Sequence, residues 1–125
     1  GFGFWQSNSI QREESMDLNV EEKKSTIIVH IKGEFHIGNV NKFEELWHSL
    51  IEKSPELIAI DCKELEYIDS SAIGTLVKFL NNTMSKKIKL VFFDLNNSIQ
   101  NIFKTARLDN FFTITTREKL ENDFL

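Results

Sequence analysis

Strand-like and helix-like segments alternate along this chain, and that alternation limits its fold more than any other feature. Leu57–Ile60 are four consecutive apolar residues, which is typical of a strand that is covered on both faces. Shortly afterwards, the spacing of one helix face (i, i+3, i+4, i+7) relates Ile73, Leu76, Val77 and Leu80. This part of the chain therefore predicts a buried strand followed by a helix, which is one unit of an α/β fold.

The rest of the chain repeats this pattern. Strands are predicted in residues 17–22, 25–33, 56–62, 87–94 and 111–115. Helical segments follow them, and the predicted order is β-β-α-β-α-β-α-β-α. We expect Gly33 to end the second strand and Asn39 to cap the first helix. Strands that alternate with helices imply parallel pairing, whereas the first two strands are joined too closely for a crossover and should be antiparallel. The prediction is one α/β domain with a mixed, mostly parallel sheet of about five strands and about four helices.

The composition narrows the possible partners. The chain has 125 residues, of which 41% are hydrophobic, so one domain with a real core is expected. Its net charge of −4 argues against nucleic acid and against an anionic membrane surface as partners, because both attract a basic face. The single cysteine, Cys62, excludes a disulfide within the chain and is predicted to be a buried thiol near a strand end. A reducing cytoplasm agrees with this cysteine usage.

The start of the chain differs from the rest. Residues 1–15 contain glycine, aromatic and polar residues without a period, and they begin with Gly1 rather than Met. They have neither the basic region nor the long apolar region of a signal peptide. We interpret residues 1–15 as an expression remnant or the tail of an upstream linker, and we place the folded domain in residues 16–125.

The sequence carries no motif for a metal, a cofactor or an enzymatic nucleophile. His30, His36 and His48 lack ligand spacing, and Cys62 has no partner cysteine. The glycines form neither GxxxxGK[ST] nor GxGxxG, and Ser70 lacks the flanking glycines of a GxSxG elbow. We therefore expect a protein that is not an enzyme and that holds no metal or cofactor. His30 is expected to be a partly exposed sheet residue.

An acid and two hydroxyls, Asp69, Ser70 and Ser71, stand where the third strand gives way to a helix. Such residues accept hydrogen bonds from the free N–H groups of a helix start, and a cap of this kind stabilises by about 1 kcal/mol. One of the three is enough for a cap, so a hydroxyl is left over at the carboxyl edge of a parallel strand, where partners usually approach. Phosphorylation suits a hydroxyl so placed, because a helix N-terminus accommodates negative charge.

The stretch YIDSSAIGTLVKFLN, residues 67–81, resembles the (M/I)DSSG-(I/L)-G signature of STAS domains, in the form found in bacterial anti-sigma factor antagonists. Three more stretches resemble other segments of the family: VHIKGEFH, LIAIDCKELEYIDSS and KLVFFDLNNSIQNIFKTARLDNFFTI. The resemblance extends over residues 17–122. It implies a STAS-type domain whose helices stack mainly against one side of the sheet.

The resemblance also implies a function. Ser70 would be phosphorylated by a serine/threonine kinase that is itself the anti-sigma factor. The unphosphorylated protein would bind this kinase and free the sigma factor, and a separate serine phosphatase would reset the switch in the cytoplasm. Partner contacts are expected from Asp69, Ser71, Ala72, Gly74 and His36.

Two residues depart from the family pattern. Ala72 stands where the family usually has Gly, and we expect its methyl group to alter how closely a partner backbone approaches. His36 stands where an acid is frequent, and we expect it to influence which partner binds. An alternative function is that of a regulatory or scaffold STAS domain within a larger sensor or anion transporter. A doubly wound enzyme or nucleotide-binding domain is a third interpretation, which lacks support from any phosphate loop.

Overall fold

The computed structural model describes residues 15–125. The interpretation of residues 1–15 as a remnant or linker therefore falls almost entirely outside the described residues, which include only Ser15 of that segment. The elements follow the predicted order β-β-α-β-α-β-α-β-α. The strands are β1 (Met16–Lys23), β2 (Thr26–Phe35), β3 (Leu57–Ile68), β4 (Lys89–Phe93) and β5 (Thr113–Thr115). The helices are α1 (Val40–Ile51), α2 (Ser70–Ser85), α3 (Asn97–Thr105) and α4 (Arg117–Phe124).

The five strands of residues 15–125 form one sheet in the order β1-β2-β3-β4-β5. β1 and β2 are antiparallel, and the other neighbouring pairs are parallel, so the predicted mixed sheet is confirmed. Lys24 and Ser25 alone separate β1 from β2, and Lys24 has the positive φ, 56°, that two-residue hairpin turns favour. The parallel pairs are instead joined by α1, α2 and α3, which act as crossover helices.

Most of the core lies between the sheet and helices α1, α2 and α3. Alternate strand residues face these helices, among them Ile27, Val29 and Ile31, as predicted. Aromatic rings from β2, α1 and α2 stack in this layer, with centroids 4.3 to 6.3 Å apart, and they belong to Phe35, Phe43, Trp47 and Phe79. This packing fixes α2 firmly against the sheet, because dense aromatic contacts leave few alternative arrangements.

The opposite face of the sheet is only partly covered. α4 lies against its β4 side, where Leu120 and Phe124 pack with Ile28, Leu57, Ala59, Val91 and Phe93. The rest of this face, across β1 to β3, carries polar side chains and borders a cavity of about 380 Å³. The helices therefore pack mainly on one side of the sheet, as expected.

β2 and β3 continue beyond their predicted ends. Gly33 does not end β2, because the strand crosses a register shift at Gly33 and Glu34 and runs on to Phe35. Gly33 has a φ of 99°, and a Cβ there would collide with the carbonyl oxygen of Ser15, so the position requires glycine. β3 likewise continues past Cys62 to its end beside Asp69, so Ser70 follows the strand without the loop that the sequence suggested.

Other chemistry is sparse within the described part of the chain. Cys62 is buried as predicted, although it lies inside β3 rather than near a strand end. Burial raises the pKa of its thiol far above the ordinary value, and the charges of Asp61 and Asp94 act in the same direction. In residues 15–125, no group of three or more His, Cys, Asp and Glu side chains is placed to hold a metal ion. Each helix in this range is too short or too polar to cross a membrane.

Candidate functional site

Ser70 is the first residue of α2, and Asp69 alone separates it from the end of β3. It therefore lies at the carboxyl edge of the parallel strands, where open α/β sheets usually bind ligands and partners. Its side chain is exposed, whereas the helix behind it is anchored in the core by Leu76, Phe79 and Leu80. The Ser70 hydroxyl thus lies at the surface, at the start of a helix that is packed firmly against the core.

Asp69 caps this helix and also holds a neighbouring loop. Its Oδ1 accepts a hydrogen bond from the backbone N–H of Ala72 at 2.8 Å. Its Oδ2 accepts one from the backbone N–H of Ile37 at 3.0 Å, in the loop between β2 and α1. The sequence left open which of Asp69, Ser70 and Ser71 caps the helix, and in the structure Asp69 makes the cap bond.

The two serines have no capping role in this arrangement. Ser71 is half-buried, and its carbonyl oxygen accepts a hydrogen bond from the Thr75 hydroxyl at 3.0 Å within the helix. First-turn N–H groups have no acceptor inside their own helix, and Asp69 takes that of Ala72. Among the described residues, the N–H groups of Ser70 and Ser71 therefore remain available beside the Ser70 hydroxyl.

The β2–α1 loop, residues 36–39, is closed by its own side chains. His36 is half-buried, and its Nδ1 accepts a hydrogen bond from the backbone N–H of Gly38 at 2.9 Å. Asn39 accepts from the backbone N–H of His36 at 2.9 Å and donates to the carbonyl oxygen of Glu34 at 2.8 Å. The predicted capping of α1 by the Asn39 side chain is wrong, because that side chain makes no cap bond and closes the loop instead.

Ala72 and Gly74 differ in their access to a partner. Ala72 is fully buried in the core cluster, so its side chain offers no surface to a partner, contrary to the expectation. Its methyl group adds to the core instead, which gives a physical reason for this departure from the family glycine. Gly74 is exposed, and a Cβ at its position would meet no other atom within 4 Å. Packing therefore does not require a glycine at this position.

Two exposed apolar side chains accompany Ser70 at this edge, and the sequence pattern did not single them out. Ile37 is 71% exposed in the loop that Asp69 holds, and Tyr67 is 46% exposed near the end of β3. Exposed apolar side chains that gather near a functional group are typical of interaction sites. The sequence does carry a signal for Ile37, since an apolar residue between His36 and Gly38 stands in an otherwise polar turn.

The charged side chains around Ser70 are mainly acidic. Asp69 precedes it directly, Glu66 is exposed near the end of β3, and Glu34 lies opposite Tyr67 in the β2–β3 register. The N-terminus of α2 supplies the positive end of a helix dipole. A phosphate on Ser70 would thus find local stabilisation from the helix, while the surface that it presents to a partner would become strongly negative.

The STAS domain family model matches residues 17–122. Among solved structures, the chain is similar to an anti-sigma factor antagonist from Mycobacterium paratuberculosis, with 17% identity, a TM-score of 0.74, and 82% of this chain and 86% of that chain covered. It is also similar to the Bacillus cell fate determinant SpoIIAA in its phosphorylated form, with 15% identity, a TM-score of 0.66, and 85% and 97% covered. A third similar structure is a sulfate transporter family protein from Wolinella succinogenes, with 13% identity, a TM-score of 0.67, and 76% and 80% covered.

Because the family match spans most of the chain, the protein belongs to the STAS domain family. The three structural similarities, at these identities, show that the fold is shared. The resemblance on which the sequence analysis relied is therefore confirmed.

Proposed function

We propose that this STAS domain is an anti-sigma factor antagonist that is switched by phosphorylation of Ser70. In the unphosphorylated state it binds an anti-sigma factor serine/threonine kinase and thereby releases a sigma factor for transcription. Phosphorylation of Ser70 ends that binding, and a serine phosphatase restores it. The domain itself is not an enzyme in this scheme, since the kinase and the phosphatase supply the chemistry.

The observation that carries the proposal is the division of roles between Asp69 and Ser70. Asp69 makes both the cap bond to α2 and the bond to the β2–α1 loop. Ser70 is exposed and is left out of both bonds. A hydroxyl that the fold does not use, placed at a helix N-terminus and at the carboxyl edge of the sheet, is available to a kinase without any unfolding.

The transfer itself needs little from this chain. The Ser70 Oγ forms a bond to the γ-phosphorus of ATP as the bond from that phosphorus to ADP breaks, and a base of the kinase takes the hydroxyl proton. The phosphate adds a charge of about −1.5 to −2 and three acceptor oxygens. The N–H groups at the start of α2 can receive part of that charge, so the fold is expected to survive the modification.

Phosphorylation of Ser70 would affect kinase binding far more than it affects the stability of the fold. Ile37 and Tyr67 offer apolar contacts near Ser70, and we assign the surrounding partner surface to Asp69, Ser71, Gly74 and His36. A partner that buries these contacts must remove water from Ser70 as well. Burying a phosphate without a matching cation is strongly unfavourable, so the modified protein is expelled from the complex. Because the kinase uses ATP, we place this cycle in the cytoplasm.

Labelling in an extract of the native cells tests the proposal. Wild-type protein should gain one phosphate when the extract is supplied with ATP, as read by intact mass and by peptide mapping. Ser70→Ala should gain none. Ser71→Ala, the matched control with a neighbouring hydroxyl removed, should still gain one phosphate at the end of the reaction, because it keeps the Ser70 hydroxyl. Phosphate on the Ser70→Ala protein would overturn the site, and capture of no kinase by the unphosphorylated wild type would overturn the partner.

A second candidate is a regulatory or scaffold role within a larger sensor or anion transporter. The fold likeness to the sulfate transporter family protein is the observation that favours it. The two candidates differ in the gene that encodes this domain. A reading frame that joins it to a transporter or sensor domain would support the second candidate, and a free-standing frame with Ser70 labelling would support the first.

A further inference from the structure

The open face of the sheet carries a histidine between two carboxylates, each on a different strand. His30 lies on β2, and its Nε2 is 2.6 Å from Glu21 Oε1 on the edge strand β1. Its Nδ1 is 2.7 Å from Asp61 Oδ2 on β3. The three side chains thus link three neighbouring strands across the sheet face that the helices α1 to α3 leave open.

The geometry selects one protonation state of His30. A neutral imidazole has one N–H and one bare nitrogen, whereas the imidazolium has two N–H donors. Here both ring nitrogens face carboxylate oxygens at hydrogen-bond distance, so only the charged ring can donate to both. Burial lowers the pKa of His30, but the hydrogen bonds to Asp61 and Glu21 and the charges of these groups outweigh it and raise the pKa above its ordinary value.

The two carboxylates are held to different degrees. Asp61 is fixed, since its Oδ1 accepts the backbone N–H of Lys63 at 3.0 Å where the β2–β3 register shifts. Glu21 is exposed, and it lies on β1, whose other edge has no neighbouring strand among the described residues. His30 therefore joins an exposed side chain on the edge strand to a carboxylate that is fixed at the sheet centre.

The surroundings allow His30 to exchange its proton with water. Its side chain is 26% exposed, and it lines the cavity of about 380 Å³ on the open face. Besides Asp61, the charged groups that line this cavity are Asp17 on β1, Lys32 on β2 and Glu64 on β3. Lys32 and Glu64 form their own ion pair at 3.7 Å, so the remaining charged side chain of the cavity lining is Asp17.

We propose that Glu21, His30 and Asp61 form a proton-dependent clamp that ties the edge strand β1 to the centre of the sheet. When His30 loses its proton, one of the two hydrogen bonds is lost and the bare nitrogen faces a carboxylate. β1 then loosens, and the hydrogen-bonding edge of β2 becomes easier to reach. The clamp would make this edge of the domain a sensor of pH, independent of the Ser70 switch.

The direction of the pH effect follows from the raised pKa of His30. In the unfolded chain the imidazole titrates near its ordinary value of about 6.5. The clamp therefore contributes its full stabilisation below that value, and the contribution is lost as the pH rises through the higher pKa of the folded state.

Amide hydrogen exchange, measured by NMR on the 125-residue chain, tests the clamp. After correction for intrinsic exchange rates, protection of the β1 amides should fall several-fold as the pH is raised from below the ordinary imidazole pKa of about 6.5 through the higher pKa of His30 in the folded state. Protection of the β4 amides should not change in parallel. His30→Gln should abolish the pH dependence in β1, and His48→Gln, which removes an exposed histidine on α1, should leave it intact.

Two further measurements keep the outcome decisive. An NMR titration should place the pKa of His30 above about 6.5, and a value at or below that figure would overturn the clamp. Glu21→Gln changes an exposed side chain, so it tests the β1 side of the clamp even if the His30 variant folds poorly. Equal pH dependence of β1 protection in the wild type and in Glu21→Gln would also overturn it. Neither result bears on phosphate labelling at Ser70.

Discussion

Helices α2 and α3 both begin at the carboxyl edge of the sheet, and both begin with a side chain that serves two elements. Asp69 accepts the N–H of Ala72 at 2.8 Å, and Asn96 accepts that of Ile99 at 3.0 Å. Each side chain also makes a bond to another part of the chain. Asp69 accepts from the N–H of Ile37, whereas the Nδ2 of Asn96 donates to the carbonyl oxygen of Leu65 at 2.6 Å.

The two helix starts differ in what remains after capping. α3 continues with Asn97, and it has Asn101 at the position that corresponds to Gly74 of α2. α2 continues with the exposed Ser70 and carries a glycine whose missing side chain no packing contact requires. Capping explains a polar residue at both helix starts, but it explains neither of these features of α2. Ser70 and Gly74 therefore indicate function, because neither residue is required for capping or for packing of α2.

The largest expected difference between the two helix starts is the effect of an added negative charge on affinity for the kinase. Phosphorylation of Ser70 is expected to weaken binding to the kinase about a hundredfold, or about 2.7 kcal/mol, because the partner would have to bury a dianion. Ser70→Asp, with a smaller charge, should weaken it about tenfold. Ser98→Asp, which places the same charge in the first turn of α3, should change the affinity less than about twofold. Isothermal titration calorimetry with the purified kinase measures all three.

The Ser98 variant is the control for non-specific charge. Ser98 of the wild type is exposed at the same edge of the sheet, so the variant places its carboxylate at the surface there. Equal losses of affinity for Ser70→Asp and Ser98→Asp would mean that net charge, and not the position of Ser70, governs binding. The comparison between the helix starts would then fail as a guide to the site.

The capping residues of the two helices can be exchanged by Asn96→Asp in α3 and by Asp69→Asn in α2. We expect Asn96→Asp to cause the larger loss in the free energy of unfolding. Asn96→Asp keeps an oxygen for the Ile99 N–H but loses the donor to the Leu65 carbonyl, and it puts a carboxylate oxygen there instead. Leu65 is buried, so we expect a loss of about 2 kcal/mol in the free energy of unfolding. Urea denaturation measures this loss, and a change below about 0.5 kcal/mol would show that the Asn96–Leu65 bond contributes little.

The reciprocal exchange at α2 should cost less. Asp69→Asn can still cap Ala72, but its Nδ2 cannot accept from the Ile37 N–H. The expected loss is about 1 kcal/mol in the free energy of unfolding, because one hydrogen bond to an exposed loop is removed. Hydrogen exchange at the Ile37 amide should become faster while that of Ala72 stays slow. If the Ile37 amide remained protected, the loop would be held by contacts other than Asp69.

The helix starts also show how far the sequence alone could lead. Periodicity predicted the element order, because apolar spacing reports which faces are buried. The short connection between the first two strands predicted that they pair antiparallel, because it leaves no room for a crossover. It could not predict that β2 passes through Gly33 to Phe35, since a bulge depends on the close approach of Ser15. The same limit applies to Asn39, which has the residue type of a cap but makes its bonds within its own loop.

The candidate site was predictable in part. The triplet of Asp69, Ser70 and Ser71 could be located from its place between a strand and a helix, but residue types alone could not decide which of them caps. The burial of Ala72 and the exposure of Ile37 depend on how α2 and the β2–α1 loop dock on the sheet. The link between Glu21, His30 and Asp61 joins residues that are far apart in sequence, and only strand register brings them together.

The smallest expected effect on stability concerns Gly74. At this position we expect one substitution to raise the stability of the fold and to weaken the binding of the kinase. A glycine inside a helix is less stable than an alanine by up to about 1 kcal/mol, and the space around Gly74 is open. Gly74→Ala should therefore raise the free energy of unfolding by about 0.5 to 1 kcal/mol in urea denaturation. Binding to the kinase should become weaker, because a methyl group would stand one helical turn from Ser70 where we place the partner. Asn101→Ala is the matched control on α3, and it should leave the affinity unchanged. A Gly74→Ala protein that gains stability and keeps its full affinity would remove Gly74 from the partner surface.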